Sequence, residues 1–227
     1  MNKQLTINFI AHCGRQSWTP ALLGLIFGGA ALLSACAGPD RPTRATLYDF
    51  GPGVTAPQPA TRIAPLPPVA LGDIEAGGAL DGTAMLYRLA YADANELRPY
   101  AQARWSAPPA QLVRQRLREL LGQRRPVLNV GEGAAITRSG GQAPLVLRLE
   151  LEEFSQVFES PAVSQGVIRL RATAAENTPS GEKLLAQRSV VVRRPAPSAD
   201  APGGVQALTA ATEAAAQEIA QWLQQLR

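Results

Sequence analysis

The chain of 227 residues has two cysteines, Cys13 and Cys36, and one histidine, His12. All three lie within the first 36 residues, so everything downstream lacks both thiol and imidazole. That absence excludes disulfides, Ser-His-Asp and Cys-His catalysis, and Cys/His zinc or haem sites from the remainder. Carboxylate, lysine, serine and tyrosine chemistry is left. A hydrolase of that kind would need a deep pocket with convergent acids, and the spacing suggests none. An enzyme is disfavoured, and no metal or cofactor is expected.

Long hydrophobic runs are also lacking. Residues 21–35 (ALLGLIFGGAALLSA) are small or apolar and uncharged, but this run is too short for a bilayer core, which needs about 20 residues. It follows a stretch that carries Lys3 and Arg15 and no acid, which makes residues 1–35 an export signal. The signal ends in Leu33-Ser34-Ala35-Cys36, which looks like a lipobox cut before a cysteine that receives diacylglycerol. The alternatives are an ordinary secretory cut, since Ala35-Cys36-Ala37 also fits A-x-A, or an uncleaved anchor. The lipobox is preferred because Cys36 sits where the apolar run gives way to Pro/Gly sequence. Three acyl chains, at about 0.8 kcal/mol per buried CH₂, would hold Cys36 in a membrane. In Gram-negative lipoproteins, Asp after the cysteine favours inner-membrane retention. The lipobox resemblance thus implies that Ala37 favours the outer membrane, with the domain on its periplasmic face.

Without Lys3 and Arg15, 20 basic residues face 18 acidic ones, a net charge of +2. So balanced a charge argues against nucleic acid as a partner. Apolar residues at 46% leave enough material for a packed core. Residues 36–45 read as a lipidated tether, of which 37–44 reach about 26–29 Å when fully extended. Residues 46–227 then form one domain.

Thr46-Leu47-Tyr48-Asp49-Phe50 alternates as a strand, and six prolines in 51–68 make an irregular crossing. Further strands are predicted at 69–74, 85–90 and 97–105. Pro108-Pro109 opens a helix with Val113, Leu117, Leu120 and Leu121 on one stripe and Gly122 as its stop. Arg114, Arg116 and Arg118 lie on its other sides, as a solvated surface or as a docking face for an acidic partner or lipid headgroups. Residues 126–194 read as a β-meander, with Gly131-Glu132-Gly133 taken as a turn. Leu145, Leu147, Leu149 and Leu151 share one face, while Phe154 and Phe158 fall on the opposite parity, so a β-bulge near 152–154 is expected. A hairpin turning at Ser160-Pro161 sets Leu149 against Ala172, Glu150 against Arg171, Leu151 against Leu170 and Glu152 against Arg169. Glu152 and Glu153 thus serve strand register, not acid/base chemistry. A closing Ala-rich helix carries Leu208, Thr212, Ala215, Ile219, Trp222, Leu223 and Leu226 on one stripe, with Trp105 and Trp222 in the core. The fold class is α/β (α+β): a single domain, an antiparallel-rich β-sheet with two main helices packed on one face.

The ordered set formed by Cys36, Thr46–Gly51 (TLYDFG), Tyr87-Arg88 with Tyr91, Tyr100 to Leu112, the 149–158 strand and Trp222-Leu223 resembles the ABC-type transport auxiliary lipoproteins. The resemblance implies a small α/β fold and partnership with ABC transporter components and an MCE-domain protein that move lipids or hydrophobic solutes between two membranes. The lipid membrane, through acylated Cys36, is the other partner, and a homo-oligomer is left open. Tyr91, Tyr100, Arg114 and Arg118 are the candidate partner contacts, since Tyr and Arg favour interfaces. The alternative function is a stand-alone, pilotin-like assembly lipoprotein.

Overall fold

A long three-stranded meander anchors the domain. The computed structural model describes residues 44–53, 66–138, 143–178 and 180–226. The export signal, Cys36, most of the tether and the proline-rich crossing at 54–65 lie outside the described residues. Strands β1 (Thr46–Tyr48), β2 (Val69–Ala76), β3 (Ala84–Leu89) and β4 (Asp93–Trp105) precede helix α1 (Pro109–Gly122). Then come β5 (Val127–Leu128), helix α2 (Val130–Arg138), β6 (Leu145–Ser160), β7 (Val163–Thr178), β8 (Gly181–Pro195) and helix α3 (Ala201–Gln225). β7 lines one edge of β6 throughout, and β8 lines β7. The other edge of β6 is shared end to end, by β2 along 145–151 and by β3 along 156–158.

The sheet is mixed, which corrects the antiparallel-rich expectation. Among the described residues, β3–β4, β6–β7 and β7–β8 are antiparallel, while β1–β4, β2–β5, β2–β6 and β3–β6 are parallel. Alternation of apolar residues marks a half-buried strand and carries no information about its direction. The long chain segments between these paired strands set it here.

α1 and α3 cover one face. Val113, Leu117 and Leu121 of α1 and Leu208, Ile219 and Trp222 of α3 bury against Leu71, Leu147, Leu151, Ile168 and Leu170 of the sheet. Trp105 packs beneath them, its ring 5.5 Å from that of Phe154. α2 lies on the opposite face, where Val130 packs over Ala70, Val146 and Ala175. This helix replaces the turn read at Gly131-Glu132-Gly133, and the meander begins at β6. Two glycines depress helix propensity, but Glu132 accepts the Asn129 backbone N–H at 2.7 Å, half of a capping box.

The predicted bulge is present: the β6–β7 register slips between Leu151 and Glu153, so Phe154 and Phe158 both turn inward. Leu149–Ala172, Glu150–Arg171 and Leu151–Leu170 pair as expected. Glu153, not Glu152, stands opposite Arg169, because the extra residue of the bulge is Glu152 itself.

Candidate functional site

Arg114 and Arg118 are one helical turn apart on α1 and therefore share a face. Both donate to Asn129 Oδ1, Arg114 through Nη2 and Arg118 through Nη1, each at 3.2 Å. Arg114 Nε also donates to the Gly72 carbonyl at 3.1 Å and ion-pairs with Asp73 at 3.2 Å. Arg118 Nη2 donates to the Val127 carbonyl at 3.0 Å. The two guanidiniums thus tie α1 to β2 and β5 while keeping one flank on a cleft of about 940 Å³. Asp73, Glu75, Asp81, Gln111 and Gln115 line the rest of it, together with Ile74 and Leu80.

β5 covers only Val69 and Ala70. Beyond them, the outer edge of β2 has no strand partner among the described residues. A strand edge offers unpaired N–H and C=O groups to an incoming extended segment. Carboxylates, guanidiniums and amides surround that edge together with the apolar Ile74, Ala76, Leu80, Pro108 and Ala110.

Tyr100 and Tyr91 belong elsewhere. Tyr100 is half-buried: its hydroxyl donates to Gln156 Oε1 at 2.8 Å, and its ring lies 4.7 Å from that of Tyr87. Burial pushes its pKa up to about 12, with Tyr87 and Asp200 adding to the shift. Gln156, itself fully buried, passes the chain of bonds to Ser164 at 2.8 Å. Tyr91 is 48% exposed at the β3–β4 turn. The four candidates therefore divide into a cleft pair, an inward-bonded ring and an exposed tip, and Cys36 lies outside the described residues.

Arg116, expected with Arg114 and Arg118 on the sides of α1 away from the apolar stripe, is instead buried. Its side chain is 6% exposed, ion-pairs with Glu213 of α3 and donates to the Phe50 carbonyl. The signal was present: Leu112, Val113, Leu117, Leu120 and Leu121 form one apolar stripe, and Arg116 sits inside it. Glu150 and Glu152 both pair with Arg171, and Glu153 pairs with Arg88 at 3.2 Å. Among the described residues, no group of three or more His, Cys, Asp or Glu could hold a metal ion. No helix among them is long and apolar enough to cross a membrane.

A family model described as "ABC-type transport auxiliary lipoprotein component" matches residues 48–220. No curated protein matches the chain. Among solved structures, a Xanthomonas campestris protein of family DUF330 has a TM-score of 0.60 at 18% identity, covering 80% of this chain and 96% of that one. An uncharacterized protein gives 0.56 at 13% identity, over 79% of this chain and 99% of its own. At these identities the likeness shows a shared fold.

Proposed function

This chain belongs to the ABC-type transport auxiliary lipoprotein family, and from that membership we propose that it is a non-enzymatic, outer-membrane-anchored periplasmic component of an MCE/ABC-type lipid transport system. The observation that carries the reading is the family match over 48–220, preceded in sequence by the lipobox-like Leu33-Ser34-Ala35-Cys36. Lipidation of Cys36 would confine the domain to the periplasmic leaflet within reach of its short tether. Ala37 after the cysteine favours the outer membrane. A cleft of mixed polar and apolar lining, beside a stretch of β2 that no strand covers among the described residues, suits docking better than turnover. In this reading, a segment of the envelope-spanning partner lies along β2, and Arg114 and Arg118 hold it by charge-assisted hydrogen bonds.

Affinity capture of the tagged full-length chain from detergent-solubilised envelopes tests this. The reading predicts recovery of an MCE-domain protein together with permease or ATPase subunits. Recovery of secretin or pilus components instead would favour a pilotin-like assembly role. Gln111→Trp, which fills the same cleft from an exposed position on α1 and breaks none of the arginine ties, should reduce recovery of the MCE-domain protein while leaving the chain folded and membrane-bound.

A further inference from the structure

Two hairpin turns meet at one end of the sheet. Ala90 donates its backbone N–H to the Phe158 carbonyl at 2.9 Å, which places the β3–β4 turn beside the β6–β7 turn. The first presents Ala90, Tyr91 and Ala92, and the second presents Pro161, Ala162 and Val163, all six exposed. Tyr91 is 48% and Val163 54% exposed, two of the five large hydrophobic side chains left open among the described residues. The six carry no charge; Asp93 and Glu159 flank them as a polar rim. Tyrosine with small apolar neighbours is the composition found at a membrane–water boundary, where a ring is buried and its hydroxyl stays wet.

The path of the chain bears on what covers this tip. β1 runs parallel to β4, with Thr46 opposite Ala103 and Tyr48 opposite Trp105. The backbone therefore enters β1 from the side on which β4 begins, which is the side of the Tyr91 turn. Ala84 pairs with Arg104 and Leu89 with Asp93, so five β3 residues separate the start of β1 from the tip. At about 3.3 Å per residue that distance is roughly 17 Å. Residues 37–44 can reach about 26–29 Å. A lipid on Cys36 can thus lie beyond the tip without the chain reversing direction.

We infer that this paired tip is a membrane-contact surface: Tyr91, Pro161 and Val163 rest in the headgroup region of the leaflet that holds the anchor. The inference rests on the Cys36 lipidation proposed above. It orients the domain with the β7–β8 turn pointing away from the membrane and the β2 edge standing along the membrane normal. Two shallow contacts plus a lipid fix a direction that the anchor alone would leave free.

The test uses the full-length, lipidated protein in vesicles of phosphatidylethanolamine with a minority of phosphatidylglycerol. Acylation consumes the thiol of Cys36, and no other cysteine follows it, so one introduced cysteine takes one fluorophore. Labels go at Ala92→Cys, Ala162→Cys and, at the far end, Ser180→Cys. The expected result is a blue shift and quenching by shallow nitroxide lipids at 92 and 162, with a depth of about 5–10 Å, and neither effect at 180. Vesicle flotation with 92 and 162 unquenched, or with all three quenched alike, overturns the tip contact while leaving the anchor intact. Protection of 92 and 162 that requires an added envelope protein also overturns it, in favour of a protein partner. Failure to float removes the anchor reading, and the inference falls with it.

Discussion

Arg116 on α1 and Glu213 on α3 meet at 3.1 Å, joining the two helices that cover the sheet through a guanidinium almost sealed from water. The same guanidinium satisfies the Phe50 carbonyl just after β1, so three separated segments depend on one side chain. Arg116→Met should therefore cost about 1–3 kcal/mol, chiefly by leaving a buried carbonyl unpaired. Glu213 is 43% exposed, and Glu213→Gln should cost under about 1 kcal/mol. Urea midpoints with unchanged slopes would measure both.

The bulge supplies a second contrast. Phe154 sits 5.5 Å from Trp105 and 6.0 Å from Phe50, and Phe158 lies 5.9 Å from Tyr87. Truncating either to Ala should cost about 3–5 kcal/mol. Glu150→Ala, half-exposed on the other face, should cost under about 1 kcal/mol. Equal, small losses at all three positions would contradict the assigned faces.

α3 approaches β7 so closely that Gly166 has no room for a side chain. A Cβ there would lie 2.6 Å from backbone atoms of Ala207 and Leu208, which cannot rotate away. Gly166→Ala should destabilise by about 1–3 kcal/mol through overpacking. Gly122, at the exposed end of α1, meets nothing within 4 Å, and Gly122→Ala should stabilise by up to about 1 kcal/mol. Thermal melts of the two variants should move in opposite directions.

Asp200 caps α3. Its carboxylate accepts from Ser198 Oγ at 2.6 Å and from the Gly203 N–H at 2.8 Å, and these bonds hold its pKa below the usual carboxylate value. A lowered folded pKa means that the stabilisation is present at neutral pH and disappears as pH falls through that folded value. The stability difference between wild type and Asp200→Ala should accordingly shrink on acidification below about pH 4. A difference that stayed constant, or grew, would contradict the cap's charge contribution.

Much of this arrangement was legible because side-chain periodicity reports faces directly. Leu149 to Leu151 paired with Ala172 to Leu170 as read, and the parity break at Phe154 announced the bulge. Strand direction was not legible, since the short apolar runs at Val69 to Leu71 of β2 and Met85-Leu86 of β3 read the same in either sense. α2 escaped because Gly131 and Gly133 look like turn residues, and tertiary packing on Ala70 and Val146 outweighs that local signal. In the candidate site, the i, i+4 pairing of Arg114 and Arg118 was readable from spacing. Their shared acceptor, Asn129, is brought in by the loop between β5 and α2, which no local pattern specifies.

Cys36→Ala tests the central claim most directly, because the account makes the lipid a positioning device and gives the thiol no part in packing. The variant and the wild type should be expressed at native level, fractionated, and scored for complementation of a deletion by its envelope-permeability phenotype. The account predicts that wild type fractionates with outer membranes. It predicts that the variant is found as precursor or in the soluble pool and fails to complement, because losing a tether can cost roughly 10²–10⁴ in effective affinity. Full complementation by a soluble, unanchored variant would contradict it.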